Sequence, residues 1–356
     1  MKILQVIPYF CFGGAETMCE NLTYALTKQG HSVTVVSLYQ EKTPISRRME
    51  EAGIRILYLD KKLGLDLSMV IKLAKIMRRE RYDVVHTHLD VIKYAAAAAK
   101  LSGIRRCVHT VHNVAEEEAG GRLQRIINTV YFRLGWSVPV ALSPEVQRTI
   151  VSFYGMKEET VPVVYNGVDL SRCLPKDNYQ LSKPAQLLHI GRFNYQKNHR
   201  GLLEAFVMIL EQYPDCCLNL LGEGELRPEV EACAEELGIR EKVIFHGNRS
   251  NVYPYLNSAD IFLLPSRFEG MPMTIIEAMG TGLPVVASAV GGVPDMLRDG
   301  ENGILVSQEP ESVAKAVLSL LEQGDFRKKL GENARKDSEK FSAEYMAEAY
   351  CHIYRA

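Results

Sequence analysis

Residues 267–288, RFEGMPMTIIEAMGTGLPVVAS, contain two glutamates, Glu269 and Glu277, in a segment that is otherwise almost wholly apolar. Burying an unpaired carboxylate is costly, so each glutamate needs a cationic or hydroxyl-rich group opposite it. A buried salt bridge would meet this need for Glu277, and so would a ligand. The segment therefore predicts either paired core carboxylates or a binding site.

The same segment has the pattern of a loop followed by a helix. The apolar run 260–264 predicts a buried strand that delivers the first glutamate into a loop. Pro272 suits the first position of a helix, and we expect that helix to end at Gly280 and Gly282. Its N-terminal amides and the loop carboxylate would then face the same ligand, because ligands bind at the carboxyl ends of parallel strands.

On both sides of this segment, short apolar runs alternate with helical patterns along the whole chain. We predict strands over 2–8, 32–38, 54–58, 83–88, 106–111, 138–142 and 161–165, and again over 186–190, 216–221, 242–246, 260–264, 284–288 and 304–306. This rhythm is typical of parallel sheets covered by helices on both faces. The fold class that it predicts is α/β, with two doubly wound Rossmann-like domains.

One break in the rhythm divides the chain. Residues 171–184 are polar, contain two prolines and predict a linker between domains 1–170 and 185–340. Residues 341–356 predict an aromatic-rich helix that crosses back to the first domain. We expect the two parallel sheets to face an interdomain cleft in which a ligand binds.

The composition and net charge are those of a soluble globular protein that does not bind nucleic acid in general. The 356 residues are 47% apolar and 24% charged, as in an ordinary soluble protein, and a net charge of −1 argues against nucleic-acid binding. The first 170 residues have 22 Lys and Arg against 17 Asp and Glu, a weak basic excess. The eight cysteines form no CxxC, and residues 2–8 predict a strand rather than a signal peptide. We therefore expect a cytoplasmic protein.

Two further loops after predicted strands could hold a phosphate. Gly13 and Gly14 precede the first helix, where a backbone without side chains lets an anion approach the helix N-terminus. The pattern is not GxGxxG, so a dinucleotide site is disfavoured, and a plain tight turn is an equal alternative. Gly191, Arg192 and Lys197 follow the first strand of the second domain. Two cations there suit a diphosphate, whereas the non-functional alternative is a basic loop that is simply solvated.

Four histidines cluster near two predicted strand ends. His86 and His88 share a strand face, and His109 and His112 lie around the end of the next strand. A metal pair is conceivable, but no Cys, Asp or Glu completes an obvious ligand set. We expect most of these rings to be packed and hydrogen-bonded. His112 is the one that we select as functional, since it ends a strand and precedes polar Asn113.

Together these segments resemble the retaining glycosyltransferases of family 4, which have the GT-B fold. The resemblance covers the whole chain in order. It rests on Gly13-Gly14-Ala15-Glu16, Thr110-Val111-His112, Asn166-Gly167-Val168-Asp169, Gly191-Arg192 with Lys197, and Glu269 and Glu277 followed by Ala278-Met279-Gly280-Thr281-Gly282-Leu283-Pro284. Two glutamates with seven residues between them are the signature of that family.

The resemblance implies a role for each selected residue. Glu277 would bind the ribose hydroxyls of a UDP- or GDP-sugar, and Glu269 would hold the transferred sugar. Arg192 and Lys197 would neutralise the leaving diphosphate in place of a metal ion, so that neither a metal nor another cofactor is expected. His112 would contact the sugar. The remaining donor-binding positions that it implies are Gly13, Gly14, Gly191, Asn248, Arg249, Gly270 and Met271.

The implied reaction is hexosyl or N-acetylhexosaminyl transfer to a carbohydrate or lipid-linked acceptor in bacterial surface-polysaccharide synthesis. Residues 121–134 could form a basic amphipathic helix at the cytoplasmic face of the inner membrane, or a partly buried domain helix. Gly280 departs from the usual alanine of the family. A nucleotide-sugar epimerase of the same fold and a catalytically inactive paralogue are the alternatives; the inactive paralogue would be expected to lack Arg192, Lys197 or Glu269.

Overall fold

The computed structural model describes residues 1–11 and 13–356, so Phe12 of the first glycine loop lies outside the described residues. The chain divides into two compact units. Unit 1 comprises Met1–Gly167 and Ala343–Ala356, and unit 2 comprises Val168–Ser342. In the part of the chain that the structure describes, each unit contains a six-stranded sheet whose pairings are all parallel.

Unit 1 is built from alternating strands and helices. Its strands are β1 (Lys2–Ile7), β2 (Ser32–Ser37), β3 (Arg55–Tyr58), β4 (Val84–His88), β5 (Arg106–Val111) and β6 (Val138–Ala141). Its helices up to residue 167 are α1 (Gly14–Lys28), α2 (Pro44–Glu51), α3 (Ser68–Glu80), α4 (Ile92–Leu101), α5 (Ala115–Glu118), α6 (Arg122–Arg133) and α7 (Pro144–Tyr154). The strand order β3-β2-β1-β4-β5-β6 reverses beside β1, which is buried on both faces.

Unit 2 repeats this plan. Its strands are β7 (Ala185–Ile190), β8 (Cys216–Leu221), β9 (Val243–Gly247), β10 (Ile261–Leu264), β11 (Val285–Ser288) and β12 (Ile304–Val306). Its helices are α8 (His199–Gln212), α9 (Arg227–Glu236), α10 (Tyr253–Ser258), α11 (Met273–Thr281), α12 (Val293–Met296), α13 (Pro310–Glu322) and α14 (Gly324–Ser338). In the order β12-β11-β10-β7-β8-β9, β10 lies between β7 and β11, which brings the loops after these three strands together.

The last helix, α15 (Ala343–Arg355), belongs to unit 1 and packs along α1. Two of its tyrosines reach the sheet. The Tyr354 hydroxyl lies 2.7 Å from His86 Nδ1, and the Tyr350 hydroxyl lies 2.6 Å from Thr110 Oγ1. These fully buried hydrogen bonds fix the helix at one register, because a buried hydroxyl without a partner would be costly.

The predicted α/β fold class with two parallel sheets is confirmed. The predicted strand over 161–165 is wrong: Val163 forms an isolated bridge with Ala141, and Pro162 lacks the N–H that a continuous ladder requires. Residues 171–184, predicted as a linker, lie within unit 2; Lys176 Nζ donates to Ala259 O, and Tyr179 Oη donates to Gly282 O. No helix among the described residues is long and apolar enough to cross a membrane.

Helix α11 begins beside Pro272 and ends at Gly282, as predicted, but two details differ. Pro272 is its N-cap rather than its first residue, and Gly280 lies inside its last turn. Gly282 ends the helix at a φ of 74°, a left-handed conformation that favours glycine. A Cβ atom on Gly280 would lie 2.7 Å from Cys173 Sγ, so this glycine allows the helix to pack against residues 170–173.

Candidate active site

The loops after β7 and β10 are joined side by side. The backbone N–H of Arg267 donates to Gln196 O at 2.8 Å, and the Gln196 side-chain amide donates to Phe268 O at 2.9 Å. Asn194 caps the short turn Tyr195–Lys197 by accepting a hydrogen bond from the Lys197 N–H. Because β7 and β10 are neighbours in the sheet, these contacts hold two distant segments of sequence at one edge.

A buried ion pair occupies this edge. Lys197 Nζ lies 2.5 Å from Glu269 Oε1, and Gln196 Nε2 donates to Glu269 Oε2 at 3.2 Å. The side chains of Lys197 and Glu269 are 14% and 5% exposed. Charge-assisted hydrogen bonds in such a poorly hydrated place are strong, and they hold the carboxylate in one orientation. The structure thus brings together two residues that the sequence selected separately.

The loop after β11 supports the Glu269 backbone. Gly292 N donates to Gly270 O at 2.8 Å, and Gly291 packs directly on the backbone of Glu269. Gly291 has a φ of 53°, and a Cβ atom at this position would overlap the Glu269 carbonyl oxygen. Both the left-handed conformation and the close approach require glycine here.

Gly191 also lies in a crowded position. A Cβ atom there would lie 2.8 Å from His189 Nε2 and 3.1 Å from Lys197 Cγ. His189 Nδ1 lies 2.9 Å from Leu263 O, and burial lowers the pKa of this histidine to about 4. A neutral imidazole therefore lies beneath the loop that carries Lys197.

Glu277 lies in α11 and is 7% exposed. Burial, followed by the charge of Glu277, raises the pKa of the Tyr253 phenol and of the Cys173 thiol. The carboxylate is therefore close enough to both groups to act on them electrostatically. Tyr253 is the first residue of α10, so Glu277 lies near the N-terminal end of that helix. Glu277 itself is on α11, the helix that follows Glu269.

Three of the selected donor-binding residues are exposed at the surface of unit 2. Arg192 Nη2 lies 3.6 Å from Glu225 Oε2, and the Arg192 side chain is 66% exposed. Asn248 and Arg249 are exposed after β9, whereas His246 is held by a 2.9 Å contact between its Nε2 and Asn219 Oδ1. Arg192 is thus largely exposed to solvent in this structure, beside Glu225.

In unit 1, Gly13 is the N-cap of α1 and Gly14 is its first residue. His112 follows β5, where the Glu118 carboxylate accepts hydrogen bonds from the backbone N–H groups of His112 and Asn113. The His112 ring lies against His88, with 3.1 Å between His112 Nε2 and His88 Nδ1. Burial lowers the pKa of His112 to about 4, and the Glu118 charge opposes this shift only partly.

The other three histidines of this cluster are packed and hydrogen-bonded, which agrees with the sequence interpretation. His86, His88 and His109 contact Tyr354, Gln5 and Thr87 respectively. Among the described residues, no group of three or more His, Cys, Asp or Glu side chains is placed to hold a metal ion.

Sequence reasoning missed two residues that shape the site, Gln196 and Gly291. The signal for Gly291 is present, because Gly291-Gly292 follow a predicted strand as Gly13-Gly14 do. Gln196 lies inside the loop that was selected for its cations. An amide carries no charge, and its contacts with Phe268 and Glu269, which distinguish it from a solvated loop residue, cannot be read from the sequence.

Two family models match most of this chain between them. The family model of glycosyl transferases group 1 matches residues 175–337, and that of glycosyltransferase family 4 matches residues 12–172. An uncharacterized glycosyltransferase of Methanocaldococcus jannaschii is 28% identical, over 100% of this chain and 98% of that protein. The UDP-Gal:alpha-D-GlcNAc-diphosphoundecaprenol alpha-1,3-galactosyltransferase of Escherichia coli is 28% identical over 68% of this chain and 66% of its own.

A solved structure supports the fold. Anabaena HepE in complex with UDP and glucose superposes with a TM-score of 0.88 at 19% identity, and the match covers 100% of both chains. At this identity the likeness shows the fold alone.

The support of Glu269 by Gly291 yields a first prediction. We expect Gly291→Ala to displace the Glu269–Gly270 backbone and to lower the free energy of unfolding by more than the ~1–2 kcal/mol that a left-handed alanine costs. The matched control is Gly300→Ala, because Gly300 has a φ of 69° but a Cβ there would meet no other described atom within 4 Å. Urea unfolding of both variants separates the cost of the left-handed conformation from the cost of overlap with the Glu269 backbone. Equal losses of unfolding free energy in the two variants would contradict the close approach.

Proposed function

Because the chain belongs to glycosyltransferase family 4, we propose that it transfers a hexosyl or N-acetylhexosaminyl group, with retention, from a UDP- or GDP-sugar to a lipid-linked or oligosaccharide acceptor. The observation that carries this proposal is the buried Lys197–Glu269 pair at the carboxyl ends of β7 and β10. The acceptor class is supported by the Escherichia coli relative, whose name specifies a diphosphoundecaprenol-linked sugar. Assembly of a bacterial surface polysaccharide is the process that would use such a transfer.

The residues divide the reaction between them. Lys197 and Arg192 bind the diphosphate and stabilise the negative charge that grows as the sugar leaves. Arg192 is exposed and long enough to reorient, so it can meet the phosphate when the donor binds. Since these cations supply the charge stabilisation, we propose that the transfer requires no divalent metal.

We assign Glu269 to the hydroxyls of the transferred sugar. Its two oxygens are oriented by Lys197 and Gln196, so the carboxylate is preorganised before substrate binds. The backbone of Gly270 and Met271 continues towards α11, whose N-terminus favours a phosphate. We assign Glu277 to the ribose hydroxyls, His112 to the sugar, and the glycines of both loops to close approach of the donor. Asn248 and Arg249 are the assigned base contacts.

A membrane would provide the lipid-linked acceptor. Helix α6 carries no acidic residue, and its exposed apolar side chains Leu123, Ile126 and Val130 recur at helical spacing, being 63%, 53% and 44% exposed. Arg122, Arg125 and Arg133 are exposed around them. A basic helix with an uncovered apolar face is complementary to an anionic lipid surface. We therefore propose that α6 docks on such a membrane.

The roles of the two cations lead to a second prediction. We expect Lys197→Ala and Arg192→Ala each to lower kcat by roughly 10²–10³, as loss of one preorganised donor does. Arg200→Ala is the control, because Arg200 is 77% exposed and pairs with Glu204 on α8. Initial rates at saturating donor, with and without EDTA, measure both effects. A wild-type rate abolished by EDTA would refute metal independence, and a sugar epimerised without any acceptor would favour the epimerase alternative.

Substitutions of Glu277 and Glu269 should affect different quantities, namely nucleotide affinity and kcat. We expect Glu277→Gln to weaken binding of the nucleoside diphosphate by ~1.5–3 kcal/mol while changing kcat little, because it acts on the ribose. Glu269→Gln is the matched comparison, and it should lower kcat far more than nucleotide affinity. Calorimetric titration with UDP and GDP, together with kinetics, tests this third prediction. An unchanged dissociation constant in Glu277→Gln would rule out the ribose assignment.

Membrane docking provides the fourth prediction. Replacing Leu123 and Ile126 together by Glu should abolish cosedimentation with phosphatidylglycerol vesicles, because it removes apolar area and adds negative charge. Leu101→Glu is the control, since Leu101 is 60% exposed on α4. Equal sedimentation of both variants, or equal binding of the wild type to phosphatidylcholine vesicles, would contradict docking through α6.

A further inference from the structure

A chain of buried hydrogen bonds in unit 1 runs from helix α1 to His112. It passes from Cys19 and Thr23 on α1 to Gln5 at the centre of β1, and from Gln5 to His88 at the end of β4. His88 then contacts His112, after β5. Cys19, Thr23, Gln5 and His88 are each 0% exposed. In such a chain each partner's chemistry determines where the next proton lies.

The first link fixes the orientation of the Gln5 amide. Thr23 Oγ1 lies 2.7 Å from the Cys19 carbonyl oxygen and 2.7 Å from the Gln5 amide. A carbonyl only accepts, so the single hydroxyl proton of Thr23 is donated to Cys19 O. The Thr23 oxygen must then accept from Gln5, which places the amide nitrogen of Gln5 on this side and its oxygen on the other.

The second link fixes the proton of His88. Gln5 Oε1 lies 2.9 Å from His88 Nε2, and an amide oxygen only accepts, so His88 carries its proton on Nε2. Burial, with the neighbouring His86 and His112, holds the pKa of His88 well below its usual range. The ring is therefore neutral, has a single N–H, and presents a lone pair at Nδ1.

The third link passes this constraint to His112. His88 Nδ1 lies 3.1 Å from His112 Nε2, so the lone pair of His88 requires a proton on His112 Nε2. Burial keeps the pKa of His112 at about 4, so this ring is also neutral near pH 7. A neutral imidazole with its proton on Nε2 has a lone pair at Nδ1. Glu118 meanwhile holds the backbone N–H of His112 in place.

We propose that Gln5 and His88 are positioning residues that fix the proton of His112 on Nε2, so that His112 meets its substrate as a hydrogen-bond acceptor through Nδ1. The ligand group that this arrangement recognises is a hydroxyl. A neutral acceptor repels phosphate oxygens, which have no proton to donate, so it discriminates between the two parts of a nucleotide sugar. The assignment of that hydroxyl to the transferred sugar rests on the proposed function, whereas the proton arrangement does not.

The proton arrangement is tested on the wild-type protein by nuclear magnetic resonance. With ring nitrogens labelled by ¹⁵N, two-bond proton–nitrogen correlations identify the tautomer of each histidine, and variants of His88 and His112 provide the assignment. We expect both rings to carry the proton on Nε2 at pH 7.5. A scalar coupling across the hydrogen bond should link the His112 Nε2 proton with His88 Nδ1. A proton on His88 Nδ1, or on His112 Nδ1, would overturn the proposal.

The role of Gln5 is tested by Gln5→Met, which keeps the volume but removes the acceptor. His88 then loses the partner of its Nε2 proton, and we expect both rings to exchange between two tautomers and kcat to fall by about 3- to 10-fold at unchanged nucleotide affinity. Thr110→Val is the matched control. It breaks equally buried hydrogen bonds, to His86 and Tyr350, but leaves the links from Thr23 to His112 intact.

The outcomes separate this proposal from the proposed function. Fixed tautomers in Gln5→Met would overturn the positioning role, even if transfer activity is present. If the tautomers exchange but sugar transfer is as fast as in Thr110→Val, the proton arrangement stands and the contact of His112 with the sugar is refuted.

Discussion

The arrangement of unit 2 depends on one constraint, which is that the Glu269 carboxylate is buried and must be compensated. Lys197 and Gln196 provide that compensation from the loop after β7, so β7 and β10 must be adjacent and in register at their carboxyl ends. Breaking such a pair leaves an uncompensated buried charge, which is far more costly than the net value of the pair itself. The close packing of Gly291 on the Glu269 backbone serves the same requirement, because it fixes the position of the backbone from which the Glu269 side chain extends.

The fold was largely predictable because its signal is local. A run such as 185–190 alternates with an amphipathic helix, and no other residues are needed to recognise it. The sequence predictions failed where a distant contact or a missing hydrogen-bond donor determines the local structure. Pro162 prevents a ladder that the apolar run around it would otherwise favour. Gly280 resembles a helix terminator by composition, yet it is a helix interior residue whose missing side chain accommodates Cys173, more than one hundred positions away.

The site was predictable as a set of residues but not as a set of contacts. Charge and position after a strand were sufficient to select Lys197 and Glu269, because parallel sheets bind ligands in the loops at the carboxyl ends of their strands. The pairing between them could not be read from the sequence, since it depends on strand order. Gln196 carries no charge and gave no signal at all. Arg192 gave a strong signal, and in this structure its guanidinium is near Glu225 instead.

Different polar groups lie at the strand ends of the two units. In unit 2 a lysine and a carboxylate face each other in the buried Lys197–Glu269 pair. In unit 1 the corresponding strand ends carry imidazoles that burial keeps neutral. A protonated ring at His112 would attract anions as well as hydroxyl groups. A neutral ring that accepts from a hydroxyl does not attract anions, because its lone pair interacts unfavourably with negative charge. Under the roles proposed above, burial of the histidine cluster would therefore let His112 accept from a hydroxyl without also attracting a phosphate.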